Sequence, residues 1–515
     1  MCNKRMCAGC HGSMRTNRRS FLIGAGTAAG ALATADFHLL DDLLCFAAEL
    51  SPSPEAAAAE AVVDVVFVWD KADRPTGNMD WTFGTETAQH QQKLFTELLE
   101  KAGSKVGVRV RARREPVFRP EEISRCLEDL KKAPGAGLIV CCHQLYKWKA
   151  VEAIVEGRGD IATVVFSHLA NQTELGPPIR YKTPKTFVCT AARLEWLEMA
   201  LRLASAPWRL RHARLLLAPS PAREMPHPLG PTFLGMPDYH AAYQKTEIAE
   251  EMRALADFYE KTARKVVEPA KKAIFNAVKH YVVLRGILRE KKCQGVSVTG
   301  SLCVGAGGDP GPACVAISRL GDEGLVGCCE GAVDFAVADL VALLICGCPA
   351  VMGNAAHQTA TDSVVISHCY SPTKLRGPED PYRAAFQLRD FHGRPACVPQ
   401  VFWPVGKRVT LLTPTAKKFW IGRGQVLSNV EQPPAFLCRT AVEFDVDGLD
   451  WNTKTFRTAD VKHSMSILGD VSKQFDAFGQ LTGLAIGPIV EPRVADHWHA
   501  RHRDDAAAKR PSPVC

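Results

Sequence analysis

Three things are missing from this 515-residue chain, and each absence argues against a class of function. No Gly-x-Gly-x-x-Gly follows the first apolar run, Val62 to Trp69, so a dinucleotide site has no support there. No basic stripe with interleaved aromatics occurs, which argues against a nucleic-acid partner despite a formal net charge of +8. Five basic residues and three acids in positions 1–47 account for two of those charges, leaving about +6 spread over the rest. No apolar segment reaches the roughly 20 residues of a spanning helix, so no permanent membrane anchor is expected. Cysteine is plentiful, but zinc-ligand spacing is lacking in its adjacent pairs. Of 19 cysteines, 15 lie beyond Cys45, and Cys141, Cys142, Cys328, Cys329, Cys346 and Cys348 sit inside apolar runs. Such placement reads as buried thiols acting as small hydrophobes. An oxidising compartment would permit disulfides, but an odd count and a large core make none necessary.

What is present begins with an address. Arg18-Arg19-Ser20-Phe21-Leu22 precedes an apolar run from Phe21 to Ala35 rich in Gly, Ala, Thr and Leu, the pattern of a twin-arginine export signal. The run is broken by Asp36, Asp41 and Asp42, and Cys45-Phe46-Ala47 before Ala48 makes an acceptable cleavage site. Export through the twin-arginine translocase to the periplasm or an equivalent extracytoplasmic space is therefore expected. Cys7-Ala8-Gly9-Cys10-His11 matches a c-type haem attachment pattern. It lies upstream of the arginine pair, where it would be removed, and reads as a chance motif. Taking residues 1–47 from 515 leaves 468, enough for two or three domains.

Residues 48–60 are rich in Pro and Ala and read as a linker. Beyond them, strands at Val62–Trp69, Val106–Arg111, Gly137–Cys142 and Ile161–Phe166 alternate with helices at Thr87–Lys101, Pro120–Lys132 and Lys147–Glu156. This alternation predicts a doubly wound parallel domain over 61–185. Asp70, His143 and Ser167-His168 fall at the carboxy ends of its strands, where such folds bind ligands, although loop polar residues at a sheet edge would look the same. A second alternating region follows over 186–385. It contains a helix at 191–205, amphipathic helices over Glu247–Lys291, a Gly-rich turn with Asp309, a helix at Ala313–Leu320, and a helix at Phe335–Cys346 after Glu330. Residues 386–490 read as β-rich and 491–515 as a polar tail, in which His497, His499 and His502 are expected to be solvated.

The stretch Gly321-Asp322-Glu323-Gly324, continuing to Cys328-Cys329-Glu330-Gly331-Ala332-Val333-Asp334, resembles the "DEG … CEGD" segment of the L-fucose/L-arabinose isomerase family, in which the acids serve a divalent metal. Three further segments match in order. The family's "Cys-Phe-Pro-Glu" maps onto Cys303-Val304-Gly305-Ala306, its "His-Cys" strand end onto Asp362 to His368-Cys369, and its late "Asn-His-His" onto Lys462-His463-Ser464, followed by Gly469-Asp470. Val409–Leu412, Gly424–Leu427 and Cys438–Thr440 also match the family's β-rich C-terminal domain. The resemblance implies two Rossmann-like doubly wound α/β domains followed by a β-rich domain, with active sites built between subunits of a homo-oligomer. It also implies aldose–ketose isomerisation of a small sugar. That reaction moves a proton between adjacent carbons through an enediolate, with carboxylates as acid and base and a Mn²⁺-like ion facing the developing oxyanion.

Two family acids are replaced, by Ala306 and by Ala332. The resemblance therefore leaves Glu330, His463 and, from the nearby Gly-rich turn, Asp309 as metal ligands, with Glu330 and Asp309 in the catalytic role. Asp334 and His368 are left as substrate contacts. Glu330 and Asp334, four apart, would share a helix face if a helix began at Glu330. An acid in a first helical turn also suits the helix dipole with no catalytic duty, and His463 could be a satisfied structural histidine. The rival function is a non-catalytic carbohydrate-binding protein that kept the fold and lost the metal.

Overall fold

Buried β-branched runs build the first sheet of the computed structural model, which describes residues 60–72, 85–144, 147–169, 183–218, 232–299, 302, 310–415, 418–459 and 462–492. Strands β1 (Val62–Val68), β2 (Arg109–Ala112), β3 (Gly137–Cys142), β4 (Thr163–His168) and β5 (Thr186–Ala191) are all parallel, in the order β2-β1-β3-β4-β5. Strand period two sorts their side chains. Val63, Val65, Phe67, Ile139, Cys141, Val164 and Phe166 pack on one face with helices α1 (Thr85–Val106) and α4 (Trp196–Arg211). Val66, Val68, Leu138 and Val140 pack on the other with α2 (Pro120–Lys132) and α3 (Trp148–Gly157). The sheet extends past the expected boundary at 185, because β5 completes it. The helix expected at 191–205 begins only at Trp196.

Helices α5 (Met236–Lys245), α6 (Glu250–Thr262) and α7 (Lys271–Lys291) are inserted between the first two and the last two strands of the second parallel sheet. Its strands β6 (Leu215–Ala218), β7 (Thr232–Phe233), β8 (Gly295–Val298) and β9 (Val326–Cys328) run in the order β7-β6-β8-β9. Helix α8 (Cys314–Asp322) packs on β9, and α9 (Val333–Cys346) follows it. Helix α9 in turn lies against α4, so one apolar core runs from the first unit into the second.

The β-rich region starts earlier than residue 386. Strands β10 (Val351–Gln358) and β11 (Ser363–His368), assigned from sequence to the second α/β region, pair antiparallel with strands far downstream. After the hairpin β12 (Phe386–Phe391) and β13 (Arg394–Val401) come β14 (Arg408–Pro414), β15 (Lys418–Asn429), β16 (Thr440–Val446), β17 (Lys454–Phe456) and β18 (His463–Leu468). The ring β14-β18-β10-β11-β16-β15 closes through the β14–β15 pairing into an antiparallel barrel, which removes its edges. Helix α10 (Ser472–Thr482) runs back against α4, α9 and β5, and β19 (Ala485–Pro488) adds to β15 in parallel, while β20 (Val490–Pro492) pairs with β17. No helix among the described residues is long and apolar enough to cross a membrane. The export signal with Arg18 and Arg19, the linker to residue 59, Asp309, Ala306 and the tail from residue 493 lie outside the described residues.

Candidate metal centre

Glu330 stands two residues beyond the carboxy end of β9, on a backbone few glutamates adopt. Its φ is 62° and that of Gly331 is 68°, so two consecutive residues occupy the left-handed region. Gly331 does so freely, whereas Glu330 pays a steric cost that marks functional positions more often than idle ones. A hydrogen bond of 2.8 Å from the Gly331 N–H to the Val298 carbonyl anchors the turn on β8. The effect is to turn the Glu330 carboxylate away from its own unit and towards the barrel.

Two barrel histidines meet it. His368 ends β11 and His463 begins β18, and β10 lies between, with Asn354 opposite both Ser367 and His463. His368 Nε2 is 3.4 Å from Glu330 Oε1, and His463 Nε2 is 3.3 Å from Glu330 Oε2. The imidazoles are 3% and 5% exposed, while the carboxylate is 32% exposed, so the cluster is closed behind the histidines and open at the acid. Neither ring nitrogen of His463 makes a hydrogen bond, so its approach to Glu330 is a charge contact rather than an aligned hydrogen bond. Edge-on rings steady both histidines: Phe335 on His463 at 5.9 Å and Tyr370 on His368 at 4.8 Å between centroids. Burial raises the Glu330 pKa, but the two imidazoles outweigh it and hold the carboxyl well below the usual carboxylate range.

One carboxylate oxygen and two imidazole nitrogens, all within 4.8 Å of one another, form a donor set that fits a divalent first-row ion. Glu330 and His463 thus converge. His368, expected to touch substrate, stands with them as a potential ligand. Asp334 does not share a helix face with Glu330, because α9 begins at Val333 and Glu330 precedes it in the turn; Asp334 lies in the first turn of that helix. Ala332, where the resemblance calls for an acid, is the N-cap of α9 with no side-chain cap, and its methyl packs against the core.

The first two acids of the motif serve structure. Asp322 is buried and accepts from the Thr373 and Lys374 N–H groups at 2.6 and 2.7 Å, and pairs with Arg383 at 2.8 Å. Glu323 accepts from the Tyr281 hydroxyl at 2.5 Å and pairs with Arg285 at 2.9 Å. These contacts fasten α8 to the segment leaving β11 and to α7. They place the barrel against β9, and so bear on the site through position alone.

A second convergent group joins Cys369, His392 and Cys438. Sequence reasoning passed over it because the cysteines read as hydrophobes. The available signals were the His368-Cys369 junction and His392-Gly393 as a hairpin tip. No protein-family model matches the chain, and no curated protein matches it.

Proposed function

We propose that the chain is an exported, metal-dependent sugar isomerase-like protein, an intramolecular oxidoreductase of the L-fucose/L-arabinose isomerase type. One observation carries the reading: Glu330, from the carboxy edge of a parallel sheet, meets His368 and His463 from the barrel. Glu330 and the two Nε2 atoms would hold Mn²⁺ or a similar ion. Such an ion supplies positive charge against the oxyanion that develops when a proton leaves the carbon beside a carbonyl. Phe335 and Tyr370 fix the imidazole planes and keep water from their buried side. Asp309 and Asp334 belong to the proposal as a proton-transfer group and a substrate hydroxyl contact.

The same proposal takes the two parallel sheets as two Rossmann-like units. Their matching orders, β2-β1-β3-β4-β5 and β7-β6-β8-β9, support it. It includes twin-arginine export, checked by Arg18→Lys with Arg19→Lys, which should retain a longer precursor in the cytoplasm. It also includes a homo-oligomer, checked by light scattering of the mature protein; a monomer at micromolar concentration would contradict it.

Ala332 favours a second reading, a non-catalytic carbohydrate-binding protein, because an apolar methyl stands where an acid would complete the metal site. The discriminating assay follows interconversion of L-fucose, L-arabinose and their ketoses by the full chain with Mn²⁺. Turnover lost in Glu330→Gln supports the isomerase. Sugar-dependent thermal stabilisation without turnover in the wild type or Ala332→Asp supports the binding protein.

A further inference from the structure

We propose that Cys369, His392 and Cys438 form a Zn²⁺ site with three protein ligands and a fourth position for water or a donor from a bound ligand. His392 Nε2 lies 3.1 Å from Cys369 Sγ and 3.8 Å from Cys438 Sγ, and all three donor atoms fall within 4.8 Å of one another. Tetrahedral zinc with Zn–S near 2.3 Å and Zn–N near 2.0 Å places nitrogen and sulfur about 3.5 Å apart, and two sulfurs about 3.8 Å apart. The cluster therefore needs shifts of only a few tenths of an ångström on its S···N edges.

The surroundings are arranged for a ligand. His392 and Gly393, with φ of 55° and 77°, form the two-residue tip of the β12–β13 hairpin, the positive-φ pair of a type I′ turn. Asn-Gly is the usual choice there, so a histidine in that place needs another reason. Its Nδ1 lies 2.8 Å from the Ala435 carbonyl. Donation of Nδ1–H to that oxygen leaves the Nε2 lone pair facing the sulfurs, the outer hydrogen bond that metal-binding histidines make. Arg439, buried beside Cys438, donates to the Asp390 and Pro433 carbonyls at 3.2 and 3.1 Å and pairs with the Asp390 carboxylate. That clamp holds the Cys438 segment to the hairpin carrying His392.

Charge selects the ion. Two thiolates, a neutral imidazole and Zn²⁺ sum to zero, which suits a largely buried site better than a monovalent ion would. The cluster lacks the carboxylate that a Mn²⁺ site would supply, so it is chemically separate from its neighbour at Glu330, although His368 and Cys369 are adjacent in the chain.

The test uses the reduced full chain, carrying Cys7→Ser and Cys10→Ser throughout, stripped with chelator and titrated with Zn²⁺ against a chromophoric competitor. Apart from any Zn²⁺ held by Glu330, His368 and His463, one tight equivalent is expected, identified by the thiolate-to-cobalt charge-transfer absorption that Co²⁺ gives in its place. Cys369→Ser and His392→Asn should each weaken Zn²⁺ binding on the order of 100-fold or more. His392→Asn keeps a turn-compatible residue, so its metal-free melting temperature should not fall. Glu330→Gln, which alters only the carboxylate–histidine group, should leave the thiolate-to-cobalt absorption unchanged. No thiolate-to-cobalt absorption in the wild type, the same absorption in both ligand variants, or a Cys369–Cys438 disulfide in the purified protein without zinc would each overturn the assignment.

Discussion

The two parallel sheets offer the same kind of edge and use it differently. At the first, the polar residues are absorbed locally: His143 is 1% exposed, lies between Phe67 and Phe95, and meets Gln91 through Nδ1 at 3.0 Å. Burial pushes its pKa down to about 3, so it is a neutral core residue. Asp70 accepts from the Ala72 N–H at 3.0 Å, and His168 Nε2 lies 3.0 Å from the Ala192 carbonyl. At the second edge, Glu330 reaches histidines of another unit. Position at a strand's carboxy end thus identifies candidates, and an apposed unit with complementary donors separates them.

The largest effect that would test this contrast concerns the joint between β9 and the barrel. Asp339, fully buried in α9, accepts from the Ala350 N–H at 2.8 Å, and burial raises its pKa to about 8 despite the backbone hydrogen bonds from Ala350 and Gly327. Its folded pKa lies above its unfolded value near 4, so the stability it contributes is complete below pH 4 and is lost as pH rises towards 8. The loss across that window should be on the order of several kcal/mol in wild type. Asp339→Asn, which keeps an acceptor for Ala350, should flatten it. Chemical denaturation at pH 5 and pH 8 measures both, and an equal slope in the variant would refute the joint.

Next in size, His143→Ala should cost about 2–4 kcal/mol of stability, as other large-to-small core substitutions do, and leave any Mn²⁺ response intact. A lost metal response with unchanged stability would mean that the first edge is functional after all. At the second edge, Mn²⁺ at about 100 times its Kd should stabilise the wild type by about 2.7 kcal/mol. Glu330→Gln and His463→Ala should remove that increment, read as the melting-temperature shift on adding Mn²⁺. The smallest effect is at Ala332. Ala332→Ser should cap α9 and add about 1 kcal/mol without changing metal affinity, whereas Ala332→Asp should do both. Equal metal affinity in the two variants would show that position 332 does not face the site.

The first sheet was largely legible because β1, β3 and β4 are short, mostly apolar runs bracketed by clear helix signals; Pro120–Lys132 and Gly137–Cys142 match residue for residue. The convergence of Glu330 and His463 was legible from the order of the motifs. The barrel's start was not, because β10 and β11 look like any buried strands and only their partners, at β18 and β16, reveal the barrel. The approach of His368, expected as a substrate contact, to Glu330 was hidden for a related reason. That contact depends on the left-handed turn at Glu330, which a Glu-Gly pair does not advertise. The Cys369–His392–Cys438 group spans 70 residues in three segments, so no local spacing announced it.

On the proposed function, Glu330, His368 and His463 hold one divalent ion between a parallel sheet and a barrel. Titration of Mn²⁺ into the chelator-stripped full chain, followed by the electron paramagnetic resonance signal of the free ion, measures it directly. One bound Mn²⁺ per chain is expected in the wild type and in His143→Ala, and none in Glu330→Gln or His463→Ala. Absence of binding in the wild type, or binding that survives both site variants, would contradict it.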